Sequence, residues 1–191
     1  IALLSDQSPK KSLLPKTITY DRFVNHFQDA LDLLDKTGEY LSEEMGVGFR
    51  DTSKLVPYGS ILAPMAVAFK EIDRLQGSDK NKALEKISAW FVGASIGERY
   101  TEGANSKQER DKHYMLKWIR EGDEFIPLWL KDVQVTNKVK RATPGSAIGR
   151  FVKCLMNREE PKDPIRNVKV GFFEGSDEYP QEHHIWPNKF C

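Results

Sequence analysis

Apolar residues recur at helical spacing along most of the chain, and this pattern predicts a mainly α fold. In the first such segment, residues 17–41, apolar side chains three and four positions apart share one face and aspartates take the other. The same spacing predicts helices at 61–72, 82–97, 107–120 and 147–156. We therefore expect a bundle-like helical domain of about five helices.

One short segment near the C-terminus has the pattern of a strand. Residues 168–173 alternate β-branched or aromatic side chains with polar or small ones. A lone strand after several helices is not the strand–helix alternation of a doubly wound sheet. Residues 1–16 are rich in Pro and Lys and predict a linker or loose lead-in. We expect the helical domain to occupy 17–165 and a separate short unit to occupy 166–191.

Length and composition exclude several classes of protein. The chain has 191 residues, 39% of them hydrophobic and 30% charged, which is enough to bury a core without disulfides. No apolar run approaches the roughly 20 residues of a membrane span, and the N-terminus lacks a secretory signal. Two cysteines fit a reducing compartment, so we expect a cytoplasmic protein. Cys154 lies beside apolar residues of its helix, which predicts a buried thiol.

The formal net charge of +1 hides two regions of opposite sign. Residues 21–51 hold eight acidic and three basic side chains, whereas residues 131–169 hold ten basic and four acidic ones. The basic region would suit a phosphate backbone, since Lys and Arg release condensed counterions on binding, and ordinary basic surface is the alternative. Lys138, Lys140 and Arg141 are its candidate DNA contacts.

The adjacent pair His183-His184, followed by Ile185 and Pro187, is the sharpest chemical feature of the sequence. One imidazole can hold a divalent cation while the other deprotonates a water molecule near neutral pH. The cation would then stabilise charge on a scissile phosphate and its leaving oxygen. The alternative is a pair of exposed loop histidines with no chemical role.

These residues resemble the opening of an HNH nuclease motif, also called the His-Me finger or ββα-metal finger. The matching segment is Glu182-His183-His184-Ile185-Trp186-Pro187-Asn188-Lys189-Phe190. It is similar to the form found in GmrSD-type, modification-dependent restriction endonucleases. Shorter upstream matches to that family are Leu55-Val56-Pro57-Tyr58, Ile61-Leu62-Ala63-Pro64, Trp90-Phe91, Arg99-Tyr100-Thr101 and Asp111. Together the matches extend over residues 49–191.

The resemblance implies a role for several residues. His184 would be the general base that activates water, His183 the first metal ligand, and Lys189 a phosphate contact. We interpret Arg99, Tyr100 and Asp111 as packing or scaffold residues that are not catalytic, with a buried Arg99–Asp111 pair that fixes a helix junction. The substrate implied is double-stranded DNA, and the complete site would use a divalent metal such as Mg²⁺.

The sequence also departs from the family pattern. The family's second strand and its helix with the remaining ligands do not follow before Cys191, and no NTPase motif is present. We therefore expect a helical middle region with the first edge of a truncated ββα-metal finger, between an NTPase-like domain and the rest of the nuclease domain. One imidazole holds a metal weakly, so we predict a metal for the complete site alone and expect no DNA cleavage by this piece.

Three functions remain open on the sequence. The first is part of a metal-dependent DNA endonuclease that serves bacterial restriction or defence. The second is a helical coupling or interaction module with a degenerate HNH edge. The third is a nucleic-acid-binding domain that does not hydrolyse its ligand.

Overall fold

Helices make up the regular structure of the described residues, and they confirm the predicted mainly α fold. The computed structural model describes residues 1–48, 55–135, 137–140, 142–163 and 165–169. Its α-helices are α1 (Leu14–Thr17), α2 (Tyr20–Glu43), α3 (Leu62–Ile72), α4 (Gly77–Ile96), α5 (Ala104–Glu121), α6 (Leu128–Lys131), α7 (Asn137–Lys140) and α8 (Ala147–Arg158). Two 3-10 turns lie at Gly59–Ile61 and Asp123–Phe125.

Local sequence signals place several helix ends. Thr19 precedes α2, and its side chain accepts a hydrogen bond from the backbone N–H of Arg22. Ser146 caps α8 in the same way by accepting from the N–H of Gly149. Such caps satisfy backbone donors that have no partner in the first turn of a helix. At the C-terminal end of α5, Gly122 has a φ of 113°, a conformation that glycine adopts without strain.

The core is centred on α3 and α4. Seven of the eleven residues of α3 are buried, and this helix packs against α2, α4 and α5. On α4, Trp90 and Phe91 are both fully buried. Phe91 meets Phe151 of α8 with ring centroids 6.1 Å apart. The outer helices therefore pack around a centre formed by α3 and α4.

The turn after α2 packs tightly against α8. Gly46 has a φ of +69°, and the side-chain amide of Asn157 donates to its carbonyl oxygen at 2.9 Å. Cys154 is fully buried beside it, and its thiol donates to the carbonyl oxygen of Leu55 at 3.4 Å. The predicted burial of Cys154 is confirmed. Burial raises the pKa of this thiol to about 12.

The N-terminal residues lie on α5. Leu3 is buried, and Lys112 of α5 donates a 2.7 Å hydrogen bond to the carbonyl oxygen of Leu3. Lys112 also pairs with Asp6, and the hydroxyl of Ser8 donates to Glu109 at 2.8 Å. Residues 1–16 were expected to form a linker or loose lead-in. The part of this segment that precedes α1 is attached to the helical body.

The predicted β element falls mostly outside the described residues. Of residues 168–173, the structure describes 168 and 169, and Lys169 forms an isolated antiparallel bridge with Lys162. Residues 170–191, which include most of the predicted finger, lie outside the described ranges. None of the helices that the structure describes is long and apolar enough to cross a membrane.

Candidate functional site

The side chains predicted from the sequence to act on DNA fall almost entirely outside the described part of the chain. Lys140 is described, and it is exposed at the last residue of α7. The others lie outside the described residues: His183, His184, Arg141, Lys189 and the side chain of Lys138. Their predicted roles as base, metal ligand and phosphate contacts stay predictions.

The described residues contain no group of three or more His, Cys, Asp or Glu side chains arranged to hold a metal ion. His26 and His113, the two histidines within those ranges, lie on different helices, α2 and α5.

A buried carboxylate joins the end of α4 to α5. Asp111 is fully buried and accepts two hydrogen bonds from the guanidinium of Arg99, at 2.7 and 3.1 Å. The hydroxyl of Tyr100 donates a third at 2.7 Å. Burial, and then the negative charge of Asp111, raises the pKa of Tyr100 above its usual value. The predicted Arg–Asp pair at a helix junction is therefore confirmed.

Aromatic rings complete this junction. The guanidinium of Arg99 lies 4.6 Å from the ring centroid of Trp129, which belongs to α6. Tyr100 packs edge-on against Trp90 and Tyr58, with centroids 6.2 and 6.1 Å away. Because its charge and its planar face are both engaged inside the protein, Arg99 acts as a scaffold residue that ties three helices together.

A charged groove runs between the N-terminal segment and α5, and we call it the α5 groove. It has a volume of about 760 Å³. Its ionisable lining consists of the basic side chains Lys10, Arg110, Lys112, Lys117 and Arg120, of His113, and of the acidic side chains Asp6, Glu109 and Glu121. Basic groups outnumber acidic ones, so the groove favours an anionic ligand.

Partners inside the protein engage part of this charge. Arg120 donates to Glu71 at 2.7 Å, and this hydrogen bond holds the pKa of Glu71 below its usual value. The ammonium of Lys117 lies 3.9 Å from Glu121. Lys10 and Arg110, in contrast, are exposed and have no carboxylate partner among the described residues. These two side chains are the cations of the α5 groove that an external phosphate would meet.

Lys10 was predicted to lie in a linker or loose lead-in and Arg110 within the helix 107–120, and neither was given a binding role. One signal was available on α5, since Arg110 and Lys117 are seven positions apart and so share a face. The contact between residues 1–10 and α5 had no such signal. It spans about a hundred residues and depends on backbone groups such as the carbonyl of Leu3.

Comparisons with known proteins give one distant relationship. The chain is 24% identical over 151 residues to an uncharacterized protein of Methanocaldococcus jannaschii. The match covers 75% of this chain and 23% of that protein, so the chain spans about a quarter of its relative's length. No family model matches the chain, and no solved structure matches it.

Proposed function

We propose that this chain is the helical part of a divalent-metal-dependent endonuclease that hydrolyses double-stranded DNA in a restriction or defence system. The observation that carries the proposal is the run His183-His184-Ile185 followed by Pro187, which comes after a helical region with the motif order of GmrSD-type enzymes. The α5 groove is compatible with this proposal, since its excess of basic side chains would attract the negatively charged DNA backbone.

In the proposed reaction each histidine has one task. His184 would take a proton from water, and the resulting hydroxide would attack the phosphorus of a phosphodiester. His183 would supply one ligand to a divalent cation, with the other ligands from residues that complete the finger. The metal, when bound, would stabilise the charge on the phosphate and the departing oxygen.

The α5 groove supplies a place for the DNA backbone in this proposal. Lys10 and Arg110 carry charges that no carboxylate of the described residues neutralises, so both are available to phosphate oxygens. Contacts of this kind fix the position of a duplex without reading its sequence. They also favour the third function considered from the sequence, a DNA-binding domain that does not cleave its ligand.

The test uses the protein encoded by the whole reading frame that contains this sequence, with supercoiled plasmid as substrate. We expect nicking in Mg²⁺ or Mn²⁺ that EDTA stops and that His184→Ala and His183→Ala abolish. His26→Ala is the matched control, because His26 lies on α2 and does not line the α5 groove, so this variant should keep its activity. We expect no nicking by the 191-residue chain alone.

A DNA-binding arm of the same experiment separates the two candidates. Fluorescence anisotropy with a labelled duplex should give binding by the 191-residue chain that weakens steeply with salt. The double variant Lys10→Gln/Arg110→Gln should reduce the salt slope by about 2, whereas Lys80→Gln/Lys82→Gln on α4 should leave it unchanged. Binding without cleavage by the full protein would favour the binding domain. Absence of both would exclude both functions.

A further inference from the structure

Six large apolar side chains lie exposed along one face of α2, and we call them the α2 stripe. They are Tyr20, Phe23, Val24, Phe27, Leu31 and Leu34, with exposed fractions of 80%, 43%, 52%, 42%, 40% and 42%. The body of the protein uses a different side of the same helix, because the buried residues of α2 are Leu33, Thr37 and Leu41. The helix therefore has two apolar faces, of which one has no partner among the described residues.

The α2 stripe is continuous. Phe23 and Val24 are adjacent and lie at the two edges of the face, and the remaining spacings between neighbouring members are three or four residues. The stripe extends over about 21 Å at 1.5 Å per residue. The rings of Phe23 and Phe27 stack with centroids 5.0 Å apart, so the apolar surface is continuous in the N-terminal half of the stripe. An unbroken apolar strip of this length matches the contact made by four turns of a second helix.

The size of the α2 stripe is also that of a contact surface. With roughly 150–200 Å² for each whole side chain, the exposed fractions leave roughly 500 Å² of apolar surface. A typical monomer exposes at most about 300–600 Å² in its largest patch, and such patches are often functional. A standard protein interface covers about 800 Å² on each side. The stripe and its polar border together fit that area.

Acidic side chains border the α2 stripe along one edge. Asp21, Asp32, Asp35 and Glu39 are exposed, and none has a basic partner among the described residues. On the other side of the helix, Asp29 is already paired with Lys70 at 2.8 Å. The border thus carries unneutralised negative charge beside an apolar strip, and the ligand must complement both.

We propose that the α2 stripe docks an amphipathic helix of a partner protein whose apolar face is flanked by Lys and Arg. Nucleic acid and anionic lipid surfaces are excluded by the sign of the border. A second copy packed antiparallel about a two-fold axis would place the two acidic borders on the same side, where they repel. A basic helix buries the stripe and pairs with the border at once, as in helix-in-groove and coiled-coil recognition.

The experiment uses a synthetic probe in place of the natural partner. The probe is a fluorescent amphipathic peptide of about 18 residues, long enough to lie along the stripe, with Leu on one helical face and Lys elsewhere. Its control carries Glu at every Lys position. Anisotropy titrations should show saturable binding of the Lys peptide that weakens with salt, and at least about tenfold weaker binding of the Glu peptide.

Two variants assign the binding to the α2 stripe. Phe27→Gln/Leu31→Gln should weaken the Lys peptide at least about tenfold, because it removes the central apolar anchors. Asp32→Asn/Asp35→Asn should weaken it and flatten its salt dependence. Leu128→Gln is the matched control, since Leu128 is 76% exposed on α6 and away from the stripe in the chain. All the substituted positions in these three variants are exposed, so the melting temperatures should stay close to that of the parent protein.

Three results would overturn the proposal. The first is unchanged peptide binding by Phe27→Gln/Leu31→Gln, and the second is equal binding of the Lys and Glu peptides. The third is a dimer, detected by light scattering, that the same double variant abolishes, since the occupant would then be a second copy. None of these results bears on DNA cleavage, so the docking site and the nuclease proposal are tested separately.

Discussion

Asp111 is an ionisable residue that lies completely inside the protein. It is a fully buried acid, and its carboxylate is matched by the charge and two donors of Arg99 and by the hydroxyl of Tyr100. A buried charge of this kind is tolerated because its partners replace the water it has lost. Removal of one member leaves the others without that compensation.

We predict that Asp111→Asn lowers the free energy of unfolding by about 3–5 kcal/mol, because the guanidinium of Arg99 then stays largely buried without a counter-charge. Urea unfolding followed by circular dichroism measures the change. Glu102→Gln, at an exposed position in the turn before α5, is the control and should change stability by less than about 0.5 kcal/mol. Equal effects of the two substitutions would mean that the buried junction contributes no more to the free energy of unfolding than an exposed carboxylate does.

Single residues were predictable from the sequence where a short-range pattern carried the information. Burial of Cys154 followed from the apolar neighbours on its helix, and the pairing of Arg99 with Asp111 followed from interpreting both as scaffold residues. The stacking of Arg99 on Trp129 was not predictable, because it joins α4 to a short helix whose position depends on the packing of the whole chain.

At the scale of elements, the α2 helix illustrates what periodicity can and cannot predict. The apolar spacing predicted a helix over 17–41, and the structure places it at Tyr20–Glu43. The pattern did not tell which of two apolar faces would meet the body. Thr37 is fully buried on the face that does, and its hydroxyl donates to the carbonyl of Leu33 at 2.6 Å. A polar residue that satisfies itself along its own helix conceals a core position.

Two glycines on and after α2 give a matched pair of substitutions. Gly46 has a positive φ of 69°, and a β-carbon there would overlap the carbonyl oxygen of Cys154 and lie 2.8 Å from the nitrogen of Arg158. We predict that Gly46→Ala lowers the free energy of unfolding by about 1–3 kcal/mol or more. Gly38→Ala, where nothing lies within 4 Å of the added carbon, should instead raise it by about 0.5–1 kcal/mol.

Thermal and urea unfolding of the two variants measure both shifts in parallel. The reference is the unsubstituted chain under the same buffer and temperature. A Gly46→Ala protein as stable as this reference would show that α8 does not approach the turn so closely. A destabilised Gly38→Ala would show that the helix is interrupted at that position.

At the scale of the whole molecule, charge of opposite sign collects on different elements although the total is +1. The acidic border lies on α2, and the α5 groove has an excess of basic side chains. The two ligands that we propose for these surfaces have opposite charge, so one need not compete with the other. Composition alone predicted none of this, since a sum over the chain cancels the two regions.

Global stability should fall at alkaline pH because two buried groups hold their protons more tightly in the folded protein. The pKa of Cys154 is raised from 9.0 to about 12, and that of Tyr100 is raised as well. A raised folded-state pKa stabilises the fold below the unfolded value, and that stability is lost as pH increases above it. We expect the free energy of unfolding to decline above about pH 9 for Cys154 and above about pH 10 for Tyr100, by up to about 1.4 kcal/mol per pH unit for each group.

The variant Cys154→Ala separates the thiol from the phenol in this experiment. Between pH 9 and 10 its free energy of unfolding should decline less steeply than that of the parent protein, since the buried thiol no longer titrates. Urea midpoints at a series of pH values give both slopes. Identical slopes for the two proteins would show that Cys154 is not the group responsible.

The arrangement of elements in space was the part of the fold least accessible from the sequence. Helix positions followed from periodicity to within a few residues, as for α3, α5 and α8. The attachment of residues 1–8 to α5 did not, because it rests on a backbone carbonyl and on contacts a hundred positions apart. The predicted DNA-contacting residues were beyond test, except that Lys140 is described and exposed.

The uneven anchoring of α2 has a consequence for any ligand of its exposed face. Over residues 20–32 only His26 and Ala30 are partly shielded, whereas Leu33, Thr37 and Leu41 secure the second half of the helix to α3. The first half thus depends mainly on its own backbone hydrogen bonds, which alone give a short helix marginal order in water. A bound partner would shift that local helix–coil equilibrium toward the helix. Binding of the partner would therefore be coupled to ordering of the first half of α2.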